Sequence, residues 1–363
     1  MHKKSRSLTS TIWYPLLLVL LTLALILDSR VASQATIRGI DLCLRTVIPA
    51  LFPLMVTTRL LMNTSLPRRL GRRLGHILSP VFHLPPEALV CLALGLLGGY
   101  PAGAQTVAIA YERGLLTRAQ AEHMLGFCNN AGPAFVFGMV GALMGGFTVA
   151  LTLYLIHILS ALLVGVVLKP GIGQRTQSRH TQPIAYHSTE PVLQASIKTM
   201  ATICGYVVVF CILSAFWDKY LGPILPQVLN VGAAGILELA SGCLRLAELD
   251  SPGWQYCMVS GFLAFGGLCV WMQIRSVLAP AGLTGQYYFL GKILQSAIAI
   301  LLTWAVLVLA PGLLPRQMPA VNLPNHEGLL TTLLWVFAAA CLLLGIWCVI
   351  LRNRAGKAQT YGV

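Results

Sequence analysis

Apolar runs long enough to cross a bilayer recur from one end of the chain to the other, and this pattern limits the fold more than any single motif does. A spanning helix needs about 20 predominantly apolar residues. The runs are 7–27, 39–63, 88–111, 124–168, 199–217, 251–274, 293–315 and 328–351. Charged residues make up only 10% of the sequence, against about 25% in a soluble protein. Backbone amides in hydrocarbon find partners only in helices or closed barrels, and runs of this length are helical. The expected fold is an all-α polytopic membrane protein with about eight transmembrane helices and no soluble domain. Run 7–27 follows Lys3, Lys4 and Arg6. It exceeds the roughly 7–15 apolar residues of a signal peptide and reads as a retained helix, although Ala32-Ser33-Gln34-Ala35 resembles a cleavage site. The ten cysteines form no CxxC and no Cys/His cluster, and read as small buried hydrophobes.

The net charge of +14 would suggest nucleic acid for a soluble chain; here it reads as the cytoplasmic excess of Lys and Arg, with no nucleic-acid partner. Suppose the N-terminus is cytoplasmic and residues 88–111 and 232–246 are re-entrant hairpins. Then all 25 basic residues except Arg30, Arg38, Arg45, Lys219, Arg245 and Arg316 fall on the cytoplasmic side, together with the C-terminus. The cluster Arg68, Arg69, Arg72 and Arg73 reads as a topology determinant that touches lipid headgroups. A full crossing by 88–111 would instead put the polar linker after residue 168 on the wrong side.

With that topology, the two halves of the chain have the same order. Each reads span, hairpin, polar stretch, broken span, span, and the first set starts from outside while the second starts from inside. This is an inverted-topology repeat, with binding expected where its broken helices meet. The divisions are 1–38 (first helix and loop), 39–168 (first repeat), 169–192 (cytoplasmic linker), 193–311 (second repeat) and 312–363 (last helix and basic tail). Residues 112–123 read as a polar helix. Residues 124–168 read as two spans joined at Gly145-Gly146.

The interruptions carry the candidate site. The first half has Gly98, Gly99, Tyr100, Pro101, Gly103 and Gln105 in one break, and Asn129, Asn130, Gly132 and Pro133 in the other. The second half has Glu238, Ser241 and Gly242, then Gly266 and Gly267 followed by Gln273. Glycine loosens a helix and proline removes a donor. Such breaks are tolerated at membrane depth where they line a cavity or are buried in protein, and the freed N–H groups of a helix start attract anions. Each feature has a plainer reading. Gly95, Gly99 and Gly103 are spaced for close helix packing, and the two asparagines could be interhelical glue. Glu238 is either a proton- or cation-coupling group or a loop carboxylate beside Arg245 and Glu248. His157 reads as structural. No phosphate-binding loop, metal-ligand set or nucleophile motif is present, so no enzymatic activity and no cofactor is expected.

The stretches 94–104, 111–114 and 127–133 resemble the sporulation integral membrane proteins of the YlbJ type, within the wider nucleoside-recognition (Gate) domain family. Pro49-Ala50-Leu51-Phe52-Pro53, Gly261-Phe262 and Phe265-Gly266-Gly267-Leu268 with Gln273 fit the same pattern. The resemblance runs from about residue 39 to residue 304. It implies transport: export of dipicolinic acid across the outer forespore membrane, on a fold similar to concentrative nucleoside transporters with two re-entrant hairpins. The expected partners are the bilayer and a small anion, and a homo-oligomer is compatible with the sequence. The rival readings are an ion-coupled nucleoside transporter and a non-transporting membrane assembly factor.

Overall fold

In the computed structural model, residues 8–168, 189–247 and 252–314 are described. They contain helices and no strand. The linker from residue 169 and the run 328–351 lie largely or wholly outside the described residues.

The first half opens with α1 (Leu8–Leu27) and α2 (Ser29–Leu42), bent sharply at Asp28. The bend between 18–27 and 29–47 is 97°. A π-helical turn, Cys43–Val47, leads to α3 (Ile48–Met62). The run 39–63, expected as one crossing, is thus shared between the end of α2, this turn and α3. Pro49 and Pro53 fall just past the turn, where each removes a helix donor. The arginine cluster rides on α4 (Leu66–Phe82), with Arg69 and Arg73 exposed. Next come α5 (Ala88–Gly98) and α6 (Ala102–Glu112), two 11-residue helices folded back on each other. At 1.5 Å per residue each is about 16 Å long, roughly half the hydrocarbon thickness.

The expected polar helix is shorter and later than the sequence suggested. Residues 113–117 form a turn, and α7 (Arg118–Leu125) starts at a capping box between Thr117 and Gln120. Residues 126–133 are largely non-helical. A π-helical segment Ala134–Val140 and the short α8 (Gly141–Met144) follow, and the chain turns at Gly145 and Gly146, both at positive φ. Only α9 (Phe147–Val167) in this stretch is a full-length span. Of the two spans expected in 124–168, the first is therefore a short helix behind a loop.

The second half has α10 (Thr189–Phe216), the hairpin-like pair α11 (Gln227–Leu237) and α12 (Leu239–Ala247), then α13 (Pro252–Phe265), α14 (Gly267–Leu278) and α15 (Gln286–Leu309). Among the described residues four helical stretches are long and apolar enough to cross a membrane, within 147–167, 189–224, 253–281 and 286–309. The bent pair α1–α2 makes a fifth if it counts as one span.

Helices α9, α13 and α15 pack together at the centre. Small and hydroxylated residues let α13 and α15 approach closely: Ser260 and Thr303 hydroxyls lie 2.6 Å apart, and Ser296 donates to Gly261 O at 2.9 Å. The outer face of α15 shows Leu301, Trp304 and Val308, an exposed apolar strip. Polar contacts gather at two ends. At one, Lys219 pairs with Asp28 and Arg245 with Asp218. At the other, Arg113 pairs with Asn63 and Arg118 donates to Gly282 O at 3.0 Å. The eight cysteines among the described residues are all free, and none is exposed.

Candidate functional site

The four breaks singled out in the sequence converge. A Cβ on Gly99 would sit 2.9 Å from Gly132 N, so the tip of the α5–α6 hairpin lies directly against the 126–133 loop. The same tip reaches the second half. Tyr100 donates from its hydroxyl toward Leu263 O at 3.0 Å and Ala264 O at 3.3 Å, two carbonyls that the break at Gly266 frees from helix bonding. Gly266 in turn lies against the Tyr100 ring, and Gly267 against the backbone of Glu238 and Leu239. The contact runs from Gly132 through Gly99 and Tyr100 to Gly266, Gly267 and Glu238. Both Gly266 and Gly267 have positive φ, which a side chain disfavours.

The donors expected to face a ligand are largely consumed within the protein. Asn129 Oδ1 accepts from Ala104 N at 3.0 Å, capping the start of α6 from the neighbouring loop. The Asn130 amide nitrogen donates to Phe127 O at 2.8 Å. Pro101 precedes α6 and Pro133 precedes the π-helical segment, each at a helix start where its missing N–H costs nothing. In the second half, Glu238 accepts from Ala240 N at 2.9 Å, Ser241 N at 2.7 Å and Ser241 Oγ at 2.8 Å. Its carboxylate caps α12, a local role that neither sequence reading of this residue contained. Gly242 lets α12 lie against Gly235 of α11, 2.3 Å from where a Cβ would be. Gln273 is buried on α14 and contacts Cys269 Sγ at 3.3 Å, with no bond to the other breaks among the described residues. Gln105 faces away from the tip, as described below.

The residue that sequence reasoning missed is Lys292. The charge pattern places it in a cytoplasmic loop just before run 293–315, but α15 starts at Gln286 and Lys292 is 0% exposed. Its Nζ donates to Asn130 Oδ1 at 3.2 Å and Gln295 Oε1 at 2.6 Å, and lies 5.4 Å from the Tyr100 ring centre and 5.8 Å from that of Tyr288. Both rings are within cation–π range. Gln295 also donates to Asn130 Oδ1 at 3.1 Å and to His157 O at 3.2 Å. His157 Nε2 accepts from Ala131 N at 3.1 Å, so its structural reading agrees with what it does: it holds the asparagine loop in place. No carboxylate pairs with Lys292 among the described residues.

The local sequence explains this position. Tyr288, Lys292, Gln295, Ala299 and Thr303 recur at helical spacing on the buried face of α15. Gly291 lets α15 cross the loop at Gly126, whose carbonyl oxygen is 2.1 Å from the place of a Cβ. That close crossing brings the Lys292 stem within reach of Asn130. Glu122 of α7 fixes the start of α15 by accepting from Thr284 N at 2.6 Å, Thr284 Oγ1 at 2.9 Å and Gly285 N at 3.2 Å. A buried lysine held by neutral oxygens and ring faces has no counter-charge among the described residues at the meeting point of the breaks.

No protein-family model and no solved structure matches the chain. The chain is similar to the sporulation integral membrane protein YlbJ of Bacillus subtilis (strain 168), at 24% identity over an alignment that covers 80% of this chain and 82% of that protein. It is an integral membrane protein and a distant homologue of YlbJ.

Proposed function

We propose that the chain is a membrane transporter that carries a small planar dicarboxylate, dipicolinate first, out of the cytoplasm and, in a spore-forming cell, into the developing spore. The observation that carries this reading is Lys292, a lysine buried where the breaks meet and lacking a carboxylate partner among the described residues. An isolated buried ammonium is costly, and an entering carboxylate would supply the missing counter-charge. Ionisable groups inside a membrane protein mark solute paths more often than they stabilise it. The sporulation link comes from the similarity to YlbJ.

The reading places the N- and C-termini in the cytoplasm and the two hairpins on opposite sides, in an inverted repeat within a nucleoside-recognition-type fold of about eight spans. An inside-negative potential then favours outward movement of a dianion, by about 2.3 kcal/mol per charge per 100 mV. Neither ATP nor covalent chemistry is required. The ion-coupled nucleoside reading needs a carboxylate free to exchange a cation, and Glu238 is engaged as a helix cap. We therefore favour the anion.

The test is flux in proteoliposomes of the purified protein, with labelled dipicolinate and labelled uridine side by side under an imposed potential. Saturable, potential-sensitive dipicolinate movement without uridine movement is expected. Uridine movement alone would replace this reading with the nucleoside one. No flux of either from folded protein would favour an assembly factor.

A further inference from the structure

A cavity of about 230 Å³ lies between α3, α6, α10 and α14, on the far side of the first turns of α6 from the hairpin tip. Its floor is Gln105, which is 1% exposed and whose amide nitrogen and oxygen both lack a hydrogen-bond partner. A buried amide left wholly unsatisfied is rare and costs stability unless something binds it. One wall is Arg59. Its Nη2 donates to Thr199 Oγ1 at 3.2 Å, its Nε has no partner, and it forms no ion pair with Glu112 of the same lining.

The hydroxyls that line the cavity are already committed. Thr199 donates to Ala195 O at 2.8 Å, Thr202 to Lys198 O at 3.0 Å and Ser276 to Gln273 O at 2.6 Å, each within its own helix. The hydrogens free to meet a ligand therefore belong to Arg59 and Gln105, with Lys198 and Glu112 also in the lining. A guanidinium beside an amide suits a carboxylate, even with the Glu112 carboxylate and the Gln105 oxygen in the same lining, because Arg59 and Lys198 outnumber the one acidic group there. The volume is just below the roughly 300–1,000 Å³ of drug-sized sites, which fits a solute of one ring.

We infer that this cavity is a second, shallower carboxylate site, through which the solute is captured before it reaches Lys292, with Arg59 and Gln105 as its contacts. The inference rests on the transport reading above. Gln105 directly follows Ala104, whose N–H is held by Asn129, so the first turn of α6 borders both sites. In the proposed topology the cavity opens to the cytoplasm, the side from which export starts.

The test is equilibrium binding, separate from flux. Purified full-length protein in phosphatidylcholine nanodiscs is titrated with pyridine-2,6-dicarboxylate. In the Lys292→Met background, which removes the deeper site, Gln105→Leu and Arg59→Gln should each weaken binding at least tenfold, and Gln105→Glu should abolish it. Trp304→Ala, on the exposed face of α15 and outside the cavity lining, should stay within twofold. Gel filtration checks folding, and Gln105→Glu preserves size should Gln105→Leu misfold. Lys292→Met should retain binding here while losing flux. Undiminished binding in Gln105→Leu and Arg59→Gln on that background would overturn the site, and if flux persisted with Lys292 intact the transport reading would survive it. Binding that is lost in those variants, while the protein with Lys292 intact moves no dipicolinate, would uphold the site and sink transport. Displacement of the dicarboxylate by phosphatidylglycerol in the disc, dependent on Arg59, would assign the cavity to a lipid headgroup and overturn the solute site.

Discussion

Asn130 Oδ1 is shared by Lys292 and Gln295, and it is the only side-chain oxygen of the asparagine pair that touches the lysine. Asn130→Asp would place a carboxylate there and oppose its second oxygen to Phe127 O, where the amide now donates. The introduced charge would supply the counter-ion that an entering anion is proposed to provide. Dipicolinate flux is expected to fall at least tenfold at normal membrane abundance; wild-type flux at equal abundance would remove Asn130 from the site. Lys292→Met separates function from stability. Replacing an isolated buried ammonium by an apolar side chain of similar length removes its desolvation cost, so the melting temperature should hold or rise while flux disappears. A marked loss of stability with flux retained would make the lysine structural. The glycines differ from these side chains. A Cβ on Gly95 would lie 1.8 Å from Cys128 O, so Gly95→Ala should cost about 1–3 kcal/mol, read as a lower melting temperature. Gly205→Ala on α10, with nothing within 4 Å, should gain up to about 1 kcal/mol in the same assay.

At the scale of elements, the site depends on where helices start. Glu238 gives α12 its first-turn partners, and Glu122 fixes the loop from which α15 begins. Glu238→Gln keeps acceptor oxygen while removing charge. Under the anion reading, flux should persist, with faster hydrogen exchange at Ala240 and Ser241 and a cost of about 1 kcal/mol. Loss of flux with those amides still protected would restore Glu238 as a coupling group. These elements also show what sequence reasoning can reach. The breaks at Gly99, Gly132, Glu238 and Gly266 were legible because glycine and proline change the backbone wherever they stand, without tertiary context. Lys292 was not, because a lysine at the edge of an apolar run reads like any interfacial charge that snorkels to water. Its polar spacing with Tyr288, Gln295 and Thr303 was the available signal, and it gains meaning only once Gly291 is seen to cross Gly126. The capping carboxylates were hidden for a similar reason: Glu122 bonds a loop far away in the chain.

At the scale of the molecule, the hairpins meet tip to break, Tyr100 with Gly266 and Gly267 with Glu238, so each half closes on an element of the other or of itself near one level. If they enter from opposite sides, withdrawal of one tip opens the lysine to that side while the other stays shut, as alternating access requires. If they enter from the same side, the contacts stand but no such exchange of access follows. The entrances carry exposed positions that report this directly: Arg69 on α4, Arg118 on α7 and Val228 on α11. Single cysteines there, with the wild-type chain as background, can be probed with a membrane-impermeant maleimide on intact cells. Arg69→Cys and Arg118→Cys should label only after permeabilisation, and Val228→Cys should label from outside. Three residues labelling from one side would make the hairpins parallel. The inverted repeat and its opposed gates would then fall together, leaving Lys292 as a buried charge reached from a single face.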